Sequence, residues 1–189
     1  MIAIRAARAE DAAAIAAIYA PYVLGGTVSF ETEAPDARAM RGRIAASDGF
    51  YPWLVATNGD ADGEGGGVLA YAYATRFRDR PAYRYVVETS VYVAGPMIGQ
   101  GAGRLVYEAL VDTLRAQGFT QAIGVLSLPN DHSIRLHEHV GFRRAGVFRE
   151  VGFKQGRWID VGYWQCLLND SRVPPVEPKP FSAVGVVRG

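Results

Sequence analysis

The stretch Tyr85-Val86-Val87-Glu88-Thr89-Ser90-Val91-Tyr92-Val93, followed by Gly99-Gln100-Gly101-Ala102-Gly103 and then a segment with Leu105, Ala109, Leu110 and Leu114 on one helical face, decides the fold. The first run is β-branched and aromatic and reads as a strand; the last has helical periodicity, and Gly118 suits its stop. Between them, glycines at alternate positions let the backbone come close to a ligand. The free N–H groups of the helix's first turn then point at that ligand with the helix dipole behind them. Strand, glycine turn and helix in this order describe an anion site and imply a phosphate-bearing cofactor; the bland alternative is a tight turn and nothing more. Arg104 stands where the dinucleotide fingerprint needs Gly or Ala, and the Gly-Lys-Ser/Thr of a Walker loop is missing, so both nucleotide readings weaken.

Working outward, Ile2 to Arg5 alternates like a short strand and Glu10 to Tyr22 is spaced like a helix. Thr27-Val28-Ser29-Phe30 suits an extended loop, and Pro35 with Asp36 can start a helix running to about Ala46. Trp53 to Ala56 and Val68 to Ala74 read as strands around the Gly/Asp tract 58–67, expected to be a mobile hairpin connection. Beyond Gly118, Ala122 to Leu126 is a strand and Asp131 to Val140 a short helix. Val147 to Phe153 pairs with Trp158 to Leu167 across Lys154-Gln155-Gly156-Arg157 as a final hairpin. The pattern is α/β (α+β), a mixed sheet in one domain over residues 1–168, without internal repeats. Residues 169–189 hold Pro174, Pro175, Pro178 and Pro180 and read as an appended, poorly ordered extension.

Composition narrows the function classes. With 49% hydrophobic and 21% charged residues in a chain of 189, one ordinary globular core is expected. No apolar run reaches the ~18 residues of a membrane span, and Arg5, Arg8, Glu10 and Asp11 interrupt any secretory signal, so a cytoplasmic protein is expected. Cys166 is the single cysteine, which excludes an intrachain disulfide or a Cys-based zinc site. A net charge of +1 with interspersed signs argues against a nucleic-acid partner.

Three segments taken together, Glu88 to Val93, the glycine turn with its helix through Tyr107, and Leu128 to Phe142, resemble successive core motifs of the GNAT acetyltransferase superfamily. Within it the likeness is to phosphinothricin and methionine sulfone/sulfoximine N-acetyltransferases. It spans approximately residues 2 to 168, including Tyr51 to Ala56 and Gly152 to Gly162. The resemblance implies a splayed, mixed seven-stranded sheet flanked by helices, whose fourth and fifth strands part to admit acetyl-CoA. It implies pantetheine contacts along Val91, Tyr92 and Val93, and a pyrophosphate site on the turn Gly99, Gln100, Gly101, Ala102, Gly103 and Arg104, with Asn130 and Ser133 beside the pantetheine arm. It also implies a homodimer, and no metal. One departure stands out: the family turn usually opens with Gln or Arg where this chain has Ile98, so altered CoA binding is expected.

Acetyl transfer needs a neutral amine, a donor to polarise the thioester and a proton for the leaving thiolate. Glu88 lies in an apolar stretch beside the implied cleft, where desolvation raises a carboxylate toward the range of a general base; the alternative is a Glu at an exposed strand edge. His137 occupies the position from which the family protonates the thiolate, and an imidazole titrating near neutrality suits that step. His132, His137 and His139 cluster in sequence, but residues two apart on a helix point to different sides, which argues against a shared metal. Asn130 is either a helix cap or a pantetheine contact, Tyr107 either core or functional, and Cys166 a buried small hydrophobe rather than an acyl carrier. Arg76, Arg78, Arg80 and Arg84 crowd the segment before Glu88. Guanidinium groups grip carboxylates and phosphinates in bidentate fashion, and Arg78 and Arg80 match the family's basic positions; a solvated loop face is the alternative. Phe30, Thr32, Tyr83 and Tyr85 are expected to wall the acceptor pocket.

The function expected is therefore direct transfer of acetyl from acetyl-CoA to the α-amine of a small amino-acid-like acceptor. A GNAT enzyme acting on a protein N-terminus or an aminoglycoside, or a non-catalytic acyl-CoA sensor, are the rival readings.

Overall fold

Alternation of small and aromatic residues in Val68 to Ala74 sorts the two faces of the central strand. Ala70, Ala72 and Ala74 join one buried cluster and Tyr71 another on the opposite face. A computed structural model describes residues 1–47, 49–59 and 67–188; residues 60–66, within the tract expected to be mobile, lie outside the described residues. Seven strands form one sheet: β1 (Ala3–Ala6), β2 (Trp53–Thr57), β3 (Val68–Arg76), β4 (Val86–Val93), β5 (Gln121–Ser127), β6 (Arg143–Lys154) and β7 (Arg157–Leu167). Their order is β1-β2-β3-β4-β5-β7-β6, antiparallel except for the β4·β5 pair.

Helix α3 (Ala102–Gln117) makes the crossover between the parallel strands and lies on the alanine face, where Val106, Tyr107, Leu110 and Leu114 are fully buried. Removing such a side chain from water contributes ~1.5–3 kcal/mol each, which anchors the helix that carries the glycine turn. Helices α1 (Ala12–Leu24) and α2 (Ala37–Ala45) cover the aromatic face, and Asp36 caps α2 by accepting from the Ala39 N–H at 2.7 Å. Helix α4 (Asp131–His139) follows β5.

The implied splay is present in the register. Strand β4 pairs with β5 only from Val86↔Gln121 to Thr89↔Gly124, while Val125, Leu126 and Ser127 continue with β7 alone. Ser90 to Val93 therefore keep a strand edge turned toward the gap.

The segment expected to be a poorly ordered extension instead runs back over the domain. Lys179 N–H donates to the Gln117 carbonyl at 2.7 Å, Phe181 N–H to Phe50 at 3.1 Å and Val187 N–H to the Thr113 hydroxyl at 3.0 Å. A short helix α5 (Phe181–Val184) forms there, and Phe181 and Val186 pack against the core beside α3. Pro178 itself, with Phe181 and Val186 beyond the last of these prolines, supplies the burial that composition alone did not reveal.

Candidate active site

Where β4 and β5 part, a cavity of about 460 Å³ opens between the β4 edge, the glycine turn and α4. Of the residues expected to meet the cofactor, Val91, Val93, Gly99, Gly101, Gly103, Arg104, Asn130 and Ser133 line it, and Tyr92 lines the narrower cleft continuing toward His137. Gln100 and Ala102 line neither: the Gln100 N–H donates to the Met97 carbonyl at 3.2 Å, its side chain to Pro96 at 2.6 Å, and Ala102 is buried. The sequence reading missed Tyr22, Val28, Met97, His132 and Leu136, which also line it. Ile98, the departure from the resembled family's Gln or Arg, also lines it and is 53% exposed.

The turn is shaped by backbone that only glycine adopts readily. Gly99 and Gly101 have φ of +81° and +88°. Gly103 serves close packing instead, since a Cβ there would stand 2.7 Å from the Val93 side chain. Helix α3 begins at once after Gly101, so the N–H groups of its first turn lack intrahelical acceptors, and Gly101, Gly103 and Arg104 at this end line the cavity. A thioester cofactor with a pyrophosphate fits this arrangement of donors and strand edge.

Glu88 sits at the last paired part of β4, opposite Thr75 and Ile123. Burial raises its carboxyl above the usual range, and the Arg78 guanidinium, 4.0 Å away, opposes that rise. Arg78 also lies over the Phe77 ring at 4.3 Å, and Phe77 meets Tyr83 edge-on at 5.7 Å. Arg80 is exposed at the start of the 3₁₀ turn Pro81–Tyr83. Arg84 is drawn elsewhere, pairing with Glu177 of the C-terminal segment at 2.6 Å, and Arg76 faces Asp79 at 3.9 Å. Of the four arginines, Arg78 alone is seen against the Glu88 carboxylate.

His137 lies inside rather than at the surface, 4% exposed, between Tyr107 and Phe142 with ring centroids 5.0 and 5.3 Å away. An imidazole titrating near neutrality was expected; burial corrects this, lowering it to about 4. The ring is thus neutral at pH 7. Its Nδ1–H donates to the Ser133 carbonyl at 2.8 Å, which leaves Nε2 with a lone pair, close against Gly124. His132 lines the cavity and His139 turns to Glu108 at 3.5 Å, so the three histidines diverge. Asn130 caps α4, its side chain accepting from the Ser133 N–H at 3.2 Å, and lines the cavity as well. Tyr107 is core, but its hydroxyl meets Thr89 at 2.8 Å, where the strands part. Cys166 is buried and free.

The loop after α1 roofs the cleft. Lys154 on β6 donates to the Val23 and Ser29 carbonyls at 2.6 and 2.7 Å, and the Phe30 ring rests on Gly152, where a Cβ would collide with it. Arg43 grips Glu31 with two bonds of 2.8 Å, and Glu31 in turn accepts from Tyr19 at 2.9 Å. Tyr22 donates to the Val93 carbonyl at 2.7 Å, occupying one lone pair on the strand edge expected to serve the pantetheine arm.

Known proteins share this fold. Residues 4–162 match the family model of an acetyltransferase (GNAT) domain. A phosphinothricin N-acetyltransferase of Alcaligenes faecalis is 44% identical over 175 residues, covering 90% of this chain and 86% of that protein. An L-methionine sulfoximine/L-methionine sulfone acetyltransferase of Pseudomonas paraeruginosa is 37% identical over 182 residues, covering 91% and 98%. The crystal structure of a phosphinothricin acetyltransferase from Sinorhizobium meliloti in complex with acetyl-CoA superposes with a TM-score of 0.86 at 34% identity, covering 97% of each chain. The splayed sheet, the glycine turn and the matched model place this chain in the GNAT family of acetyltransferases.

Proposed function

We propose that this enzyme transfers acetyl from acetyl-CoA to the α-amine of a small amino-acid-like acceptor of the phosphinothricin, methionine sulfoximine or methionine sulfone type. The observation that carries the reading is the half-buried Glu88 carboxylate, next along β4 to Thr89 of the narrower cleft, with Arg78 4.0 Å away. A base and a carboxylate-binding guanidinium side by side suit an acceptor that brings its amine and its anion on adjacent carbons.

In this reading acetyl-CoA lies along Ser90 to Val93 with its pyrophosphate on the turn at Gly99 to Arg104. Glu88 takes one proton from the ammonium. The amine then attacks the thioester, a backbone N–H of the splayed strand stabilises the oxyanion, and the C–S bond breaks. Of the two protons left on the nitrogen, one reaches the departing sulfur through Nε2 of His137, which accepts it and passes it on, and the other stays on the product amide. Arg78, with Arg80, holds the acceptor's anionic group, and Phe30 and Tyr83 wall the pocket. A homodimer is part of the proposal, supported by Phe148, Val151, Phe153 and Trp158, all exposed on the β6–β7 hairpin. The reducing cytoplasm is its proposed compartment, in keeping with the single free Cys166.

Thiol release from acetyl-CoA is the test, with methionine sulfone, methionine sulfoximine, phosphinothricin, an aminoglycoside and an N-terminal peptide as acceptors. Release driven by the first three and lost in Glu88→Gln is the expected result. Release driven only by the aminoglycoside or the peptide would overturn the acceptor class.

A further inference from the structure

The segment Val176 to Lys179 lies far in sequence from the acceptor loop, residues 77–85, yet ends against its base. Glu177 accepts from Arg84 Nε at 2.9 Å and Nη2 at 2.6 Å, and from the Tyr85 hydroxyl at 2.7 Å. Arg84 lies over the Tyr85 ring at 4.5 Å, and its Nη1 donates to the Pro81 carbonyl at 3.2 Å, closing the 3₁₀ turn that carries Tyr83. Tyr83 meets Phe77, Phe77 supports Arg78, and Arg78 faces Glu88. One continuous series of contacts thus joins Glu177 to the proposed base.

The far side of this series is fixed. Pro178 is buried beside Gly118, and Lys179 exchanges bonds with Gln117, whose side chain donates to the Lys179 carbonyl at 2.8 Å and to Phe50 at 2.9 Å. Glu177 is therefore held by the end of α3, while the loop it grips is exposed from Arg78 to Arg84. A charge-assisted, two-pronged contact from a rigid segment to an exposed loop restricts that loop more than the loop's own short turn does.

We infer that the C-terminal segment is a latch for the acceptor loop, with Glu177 the positioning residue that sets acceptor affinity through Arg84 and Arg78. This rests on the reading of the loop as the acceptor's anion site. The cavity proposed for acetyl-CoA, along β4 and the glycine turn, shares no lining residue with this series of contacts.

The test uses the full chain with methionine sulfone as acceptor, comparing Glu177→Gln, Glu177→Asp and Arg78→Ala, with amide exchange of the loop measured on the same proteins. The contact is exposed, so the expected rise in acceptor KM for Glu177→Gln is about three- to fivefold. The KM for acetyl-CoA and kcat should change by less than about twofold, loop exchange should speed up, and Glu177→Asp should recover part of the affinity. Equal losses toward both substrates would mean a general structural role and overturn the latch. An acceptor KM that rises in Arg78→Ala but not in Glu177→Gln would also overturn it. Faster loop exchange in Glu177→Gln with an unchanged acceptor KM in both variants would remove the loop from the acceptor site, and the inference with it.

Discussion

Arg78 stands 4.0 Å from Glu88, among the described residues the one cation seen against this carboxylate, which burial pushes upward. The two effects oppose each other, so the pair sets the pH at which the proposed base becomes available. Glu88→Gln should lower kcat by about 10²–10⁴-fold with acetyl-CoA affinity retained. Arg78→Ala removes the opposing charge, so the acidic limb of the kcat/KM profile should move to higher pH, measured with acceptor at concentrations well below KM.

His137 is neutral when folded and titrates at about 4, below the ordinary 6.5, because burial disfavours its cation. The unfolded chain therefore takes up a proton that the folded chain refuses as pH falls from 6.5 toward 4, and stability should drop across that window. The size is on the order of 3 kcal/mol. Urea unfolding at stepwise pH checks this, and His137→Gln should flatten the slope. Against the Tyr107 and Phe142 rings, His137→Ala should cost a further ~2–4 kcal/mol for the void it leaves.

Gly103 has no room for a methyl group beside Val93. Gly103→Ala should push the start of α3 away from β4, costing ~1–3 kcal/mol of stability and weakening acetyl-CoA binding by about tenfold or more. Titration calorimetry with acetyl-CoA, beside thermal melts, separates the two effects.

Lys154 ties the roof of the cleft by two bonds, one to the Val23 carbonyl in the last turn of α1 and one to the Ser29 carbonyl in the loop that follows. Lys154→Met leaves both carbonyls without this donor, so an effect of ~1–3 kcal/mol is expected on stability. A rise in acceptor KM larger than any change in kcat should accompany it, because Phe30 is released with the loop.

The exposed Phe153 and Trp158 rings lie 5.2 Å apart on the hairpin formed by β6 and β7. If they meet a second copy, Trp158→Asp should convert the dimer to a monomer in sedimentation experiments at micromolar protein, since a desolvated carboxylate in an apolar contact costs several kcal/mol.

The order of strands and helices, the glycine turn and the setting of Glu88 in an apolar strand were legible in the chain because their signals are local, whereas the candidacy of His137 came from the family resemblance. Alternation, helical spacing and glycines that tolerate positive φ act over a few residues, and the structure has Gly99 and Gly101 in that backbone region. Tertiary structure decided the rest. Where β4 leaves β5 depends on two strands separated by α3, and the acidity of His137 on rings brought from α3 and from beyond α4. The diversion of Arg84 to Glu177, the grip of Lys154 on the Ser29 carbonyl and the docking of the proline-rich segment join residues far apart in the chain. Burial and pairing are properties of groups that meet only after folding, and no local pattern encodes which distant partner arrives.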